Sequence, residues 1–73
     1  MIVFTSHAED KLQKELKKLG VTAKTVTDAI SDPDELLHDS QTGRFVALSS
    51  NRKVAVIYEK SDGDILVITV IYS

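Results

Sequence analysis

Lys53 and Tyr72 are the residues whose types and spacing come nearest to a reaction centre. If the strands that carry them are joined by a loop of even length, the two lie opposite each other across the ladder, and Arg44 shares their face. Metal-free cleavage of a phosphodiester needs cations that hold the phosphate, beside a tyrosine, lysine or histidine that moves a proton. His7, at the start of the first helical pattern, adds a group that titrates near neutral pH. The positive end of a helix disfavours its protonated form. Each residue also has a plainer role. Tyrosine and lysine are common at strand ends, where the ring caps the core and the lysine stem lies along apolar surface. A histidine at a helix start often serves local hydrogen bonding.

Other chemistries find less in the chain. Gly20, Gly43 and Gly63 are isolated, so no glycine loop can cradle a phosphate. His7 and His38 lack metal-ligand spacing and there is no cysteine, so no metal site and no cofactor are expected. Lys11, Lys14, Lys17 and Lys18 cluster on one side of a helical pattern. They suit a phosphate backbone, and equally a solvated helix face, since Glu9, Asp10 and Glu15 lie among them. Five acids and no lysine or arginine run from Asp28 to Asp39; Arg44, Arg52 and Lys53 follow with no acid as far as Tyr58. Such segregation can give a bipolar surface with one cationic end.

These residues must be positioned by very little protein. The chain has 73 residues, 42% apolar and 27% charged, with a net charge of −2. One domain spanning 1–73 is expected. Its apolar content is too high for a disordered chain, and nearly every apolar position is needed in the core or against a partner. Ile65 to Tyr72 is far too short to span a bilayer, so no membrane role is expected. The N-terminus has no signal-peptide pattern, and with no cysteine a reducing, cytoplasmic setting is the simplest expectation.

The pattern of residues predicts the elements. Ile2 to Thr5 is a β-branched and aromatic run, read as a first strand. Ser6 offers an N-cap with Glu9 to close a capping box, and Ala8, Leu12, Leu16 and Leu19 follow at helical spacing. Gly20 suits the left-handed residue after that helix, which is placed from about His7 to Leu19. Thr22 caps a second helix whose Ala23, Val26 and Ile30 share a face; Asp32-Pro33 ends it near Ser31. Glu35 to His38 reads as a strand or a helical turn. Arg44 to Ser49, Lys53 to Glu59 and Ile65 to Tyr72 read as strands. Gln41-Thr42-Gly43 is a turn, and Asp62-Gly63 is the strongest turn signal.

The expected fold is therefore α+β: one strand, two helices, then three or four antiparallel strands, with both helices on one face of a mainly antiparallel sheet. Unbroken alternation pairs Lys53 with Tyr72, Ala55 with Val70, Ile57 with Ile68 and Arg44 with Glu59. One face then carries Val46, Leu48, Ala55, Ile57, Leu66, Ile68 and Val70. The other carries Phe45, Ala47, Val54, Val56, Tyr58, Ile65, Val67, Thr69 and Ile71. Both faces are apolar and one helical layer covers only one, which leaves the other for a partner or for the chain's own loops. Ile65 to Tyr72 is uncharged and β-rich, so it belongs inside the sheet, with the first strand beside it in either direction.

Several stretches together resemble a known family. They are Ser6-His7-Ala8 before an amphipathic helix, Leu19-Gly20-Val21-Thr22 before a second, Ala29-Ile30-Ser31-Asp32-Pro33-Asp34-Glu35, and the ending Asp64-Ile65-Leu66-Val67-Ile68-Thr69-Val70-Ile71-Tyr72. The pattern resembles small, largely uncharacterised prokaryotic proteins similar to the BrnT and RelE/ParE-like toxins, and it covers almost the whole chain. The resemblance implies a RelE-like strand–helix–helix–sheet topology and a place as the toxin half of a toxin–antitoxin pair, cleaving RNA without a metal. By position it implies His7, Lys53 and Tyr72 as catalytic residues and Arg44 and Arg52 as phosphate contacts. Lys11 stands where that family usually has arginine, and the chain is acidic where such RNA cutters are usually basic. Two functions follow as expectations. One is a toxin-type RNA-binding or RNA-cleaving domain. The other is a non-catalytic interaction module that binds an antitoxin or a second copy through the uncovered sheet face.

Overall fold

The computed structural model describes residues 1–73. Ile2–Phe4 forms β1, and Thr5 then turns the chain into α1 (Ser6–Gln13). The Thr5 hydroxyl accepts the Ala8 N–H at 3.1 Å and donates to the Ile68 carbonyl at 2.9 Å. It therefore caps the helix and ties it to the sheet, so the N-cap is Thr5 rather than the expected Ser6.

The sequence pattern predicts one helix from His7 to Leu19. The chain instead leaves the helical region at Lys14 (φ −108°, ψ −90°), which separates α1 from the short α2 (Glu15–Lys18). After the break Leu16 is buried, while Leu19 is 50% exposed and does not join the core as expected. Gly20 (φ 79°) closes α2: its N–H bonds to the Lys17 carbonyl, and the Val21 N–H bonds to the Leu16 carbonyl. That is a Schellman closure, and its apolar pair, Leu16 and Val21, is buried. α3 (Ala23–Ser31) starts at Thr22, whose hydroxyl and backbone exchange bonds with Thr25. Val26 and Ala29 face the core from α3, and the helix stops before Pro33, as expected.

Four strands follow: β2 (Glu35–Asp39), β3 (Arg44–Ser49), β4 (Val54–Ser61) and β5 (Asp64–Tyr72). Glu35 to His38 resolves as strand. The Asp62-Gly63 turn takes positive φ at both residues, 51° and 83°. The sheet order is β1-β5-β4-β3-β2, with β1 parallel to β5 and every other pair antiparallel. The helices lie on one face, so the α+β architecture stands as the sequence predicts. β5 is flanked by β4 throughout. β1 accompanies it only from Ile65 to Val67.

The pairing of β3 with β4 matches expectation, with Arg44 opposite Glu59 and Val46 opposite Ile57. The pairing of β4 with β5 does not. Tyr58 pairs with Val67, but Ile57 pairs with Thr69, so Ile68 is an extra residue in β5. This β-bulge shifts the rest of the strand by one. Tyr72 lies opposite Val54, not Lys53, and Val70 lies opposite Val56, not Ala55. Val70 is thereby carried to the helix-covered face, where it is fully buried, and Ile71 is turned out to 47% exposure. The core comprises Ala8, Leu16, Val21, Val26 and Ala29 from the helical side with Ala47, Val54, Val56, Tyr58, Val67 and Val70 from the sheet. Burying each valine or leucine side chain of that set contributes roughly 1.5–3 kcal/mol.

Candidate functional site

The face of the sheet away from the helices is uncovered. Counting outward from the helix-facing core, Leu37, Val46, Leu48, Ala55, Ile57, Leu66 and Ile71 alternate onto it, with Val3 beside Leu66. Val3, Leu37 and Ile71 are 44%, 46% and 47% exposed, and the residues between them are half-buried by their neighbours alone. Charges fringe this field. At one end Arg44 donates to Glu59 at 3.1 Å, and the N-terminal ammonium pairs with Asp64 at 3.2 Å. At the other end lie Glu35 and the turn that holds Lys53. An apolar centre with a polar margin is the usual anatomy of a protein-binding surface.

A shallow cleft of about 520 Å³ opens at the second end, between Leu48, Ala55, Ile71, Ser50, Lys53 and Ser73. Lys53 does not begin β4 as the sequence pattern predicts. It is the last residue of the turn, held at φ 59°, a conformation that costs a residue with a side chain roughly 1–2 kcal/mol. Its N–H bonds to the Ser50 carbonyl, and its own carbonyl accepts the Ser73 N–H at 3.0 Å. These bonds fix the backbone while its side chain stays exposed at the cleft.

The five residues singled out by sequence are only partly brought together. Lys53, Arg52 and Tyr72 share one end of the sheet. Tyr72, however, alternates onto the helix-covered face with Val54, whereas the cleft is on the open face. Arg44 is at the far end of β3 and is neutralised by Glu59. Arg52 is spent on the fold: it donates to the Ser49 hydroxyl at 3.0 Å and to the Asp32 carbonyl at 3.4 Å. With Asp34, which accepts the Ser50 N–H, it ties the end of α3 to the β3–β4 turn. His7 stands exposed in the first turn of α1, across the sheet from the cleft. No three histidine, aspartate or glutamate side chains converge as metal ligands would. No helix is long and apolar enough to cross a membrane.

Two arrangements escape a reading of the sequence. The rings of His38, Phe45 and Tyr58 stack across β2, β3 and β4 at 4.5 and 5.4 Å, and the Lys60 ammonium sits 5.0 Å from the Phe45 ring. The expected β3–β4 register already aligned Phe45 with Tyr58, so that half of the column was available; His38 needed β2 to be settled as a strand. The other is Lys11, expected on a solvated lysine face, whose Nζ instead donates to the Val70 carbonyl at 2.7 Å. Nothing in its spacing separates it from Lys14, which pairs with Asp10.

No protein-family model matches the chain, and no curated protein or solved structure is significantly similar to it.

Proposed function

We propose that the chain works as a non-catalytic binding module on a toxin-like scaffold, taking a protein partner on the open face of its sheet. The observation that carries this reading is the uncovered row of Leu37, Leu48, Ile57 and Ile71, apolar at its centre and charged at its margin. An antitoxin-like chain or a second copy has the chemistry to cover it. Co-expression with the product of the adjacent reading frame tests the reading. The unmutated chain should retain the partner through purification, and an Ile71→Asp variant with the same melting temperature should lose it. Retention by that variant would overturn the reading.

A toxin-type, metal-independent action on RNA is the second reading. It is favoured by one observation, the gathering of Lys53, Arg52 and Tyr72 at one end of the sheet, where Lys53 lines the cleft. In that reading Lys53 and Arg52 neutralise the phosphate, and Tyr72 or His7 moves the proton. A folded Lys53→Ala, Tyr72→Phe variant should then lose growth arrest and RNA cleavage. If the unmutated chain neither arrests growth nor cuts RNA, this reading falls.

A further inference from the structure

The sheet has two outer edges, and they are built differently. β1 is three residues long, and where it ends the edge of β5 is closed by side chains, with the Thr5 hydroxyl on the Ile68 carbonyl and the Lys11 ammonium on the Val70 carbonyl. β2 has no such closure. All five residues of Glu35–Asp39 are exposed, in unbroken register with β3, and no proline, lysine or bulge interrupts them. Leu36 and Leu37 point to opposite faces and are 48% and 46% exposed. Native proteins normally blunt an edge of this kind.

The hydrogen-bonding sense of that edge can be worked out from the other end of the sheet. The two-residue turn at Asp62-Gly63 makes Ser61 and Asp64 a hydrogen-bonded pair, and Ser73 N–H bonds to the Lys53 carbonyl. Odd-numbered residues of β4 thus bond to β5 and even-numbered ones to β3. Carrying the alternation through the β3 register, Glu35, Leu37 and Asp39 bond to β3. Leu36 and His38 are left with their N–H and C=O groups directed outward.

We infer that β2 is a self-pairing edge, and that a second copy of this chain adds to it antiparallel, about a two-fold axis at Leu36, to make one continuous sheet. A two-fold axis through the edge must set a residue opposite its own counterpart. Centring on Leu37 would oppose Glu35 to Asp39 twice, a like-charge arrangement that destabilises a ladder. Centring on Leu36 opposes Leu36 to Leu36 and Glu35 to Leu37, with no like-charge pair; Asp34, whose N–H is bonded inward to the Leu48 carbonyl, lies beyond the paired residues. It also uses the outward backbone groups of Leu36 as a reciprocal hydrogen-bonded pair. The inference concerns the edge and is independent of what covers the open face, although joining two sheets would place the two open faces side by side.

Single-cysteine variants in this cysteine-free chain read the register directly. In the junction centred on Leu36, the two copies of that residue stand about 5.5 Å apart at Cα, within disulfide reach. The two copies of Leu37 stand roughly 8 Å apart, beyond it. Under mild oxidation Leu36→Cys should give a covalent dimer and Leu37→Cys should not. Leu36→Pro removes an outward N–H and leaves the β2–β3 ladder alone. It should weaken association in sedimentation equilibrium at least tenfold with an unchanged circular dichroism spectrum. An unmutated chain that sediments as a monomer at millimolar concentration overturns the inference. So does preferential cross-linking of Leu37→Cys, or undiminished association of Leu36→Pro. The open-face variant Ile71→Asp that tests the binding-module reading leaves β2 untouched and is assayed with the neighbouring chain, so the two readings fail separately.

Discussion

The ammonium of Lys11 lies 2.7 Å from the carbonyl oxygen of Val70, at the level of β5 where β1 no longer accompanies it. A helix side chain thus takes the place of a missing strand. Hydrogen bonds from charged donors contribute about 1.5–3 kcal/mol. Lys11→Met keeps the stem and removes the donor, so it should lower stability by roughly 1–2 kcal/mol in urea unfolding. Lys14→Met, on the same helix but exposed and paired only with Asp10, should change it by no more than about 0.5 kcal/mol.

Thr5 carries two bonds on one hydroxyl, one to the helix and one to the sheet. Thr5→Val preserves shape and loses both. The expected cost is about 1–2 kcal/mol, whereas Thr5→Ser should recover most of it. Ser6→Ala should be close to neutral, because Ser6 does not cap the helix. Thermal melts of the three variants check the order.

Acid should act through the turns. The Ser50 N–H on Asp34 and the Gln41 N–H on Asp39 hold both carboxyls below their ordinary value of 3.8. Asp28 is lowered likewise by its bond from Lys24. A carboxyl whose folded value is depressed stabilises the fold above its unfolded value, and loses that contribution as pH falls through the folded one. The melting temperature should therefore be flat above about pH 5 and fall below about pH 4. The Asp34→Asn, Asp39→Asn variant should show a shallower fall over the acid range.

Val70 and Ile71 are neighbours with opposite fates, buried at 0% and exposed at 47%. Val70→Asp places an unpaired carboxylate in the core and should abolish cooperative unfolding. Ile71→Asp should leave the fold intact, with its loss confined to partner binding. Near-ultraviolet circular dichroism and hydrogen exchange distinguish the two. A straight β5 would give the reverse outcome.

Much of the scaffold was legible because local chemistry and tertiary need agree there. Asp62-Gly63 supplies the two positive φ values its turn requires, Thr22 caps α3, Gly20 closes α2, and Arg44 meets Glu59 across β3 and β4. The errors arise where tertiary packing overrides local pattern. Nothing in Gln13-Lys14-Glu15 is a helix breaker, yet the helix breaks where Leu16 must turn inward. No glycine marks the bulge at Ile68, which falls where β5 passes from pairing with β1 to accepting the Thr5 hydroxyl. The candidate site inherits that error. Lys53 and Tyr72 share a face only under strict alternation, and one additional residue separates them. Arg52 and Lys11 look like surface cations in sequence because their acceptors, apart from Ser49, are backbone carbonyls of distant segments, which carry no signature in side-chain spacing.

The irregularity at Ile68 also limits how this chain can vary. Strict alternation binds every residue of a strand to a single side, so a nine-residue ribbon without a slip would be wholly committed from end to end. Excising that one position would restore plain alternation and leave everything downstream where it stands, with Ile57 still opposite Thr69 and Val56 still opposite Val70. Pairing the strand without the slip while keeping all nine residues would exchange inside for outside: Val70 would go to water, and Thr69 and Ile71 to the interior. The last strand can therefore lose a residue at Ile68, but at its present length it cannot do without the slip.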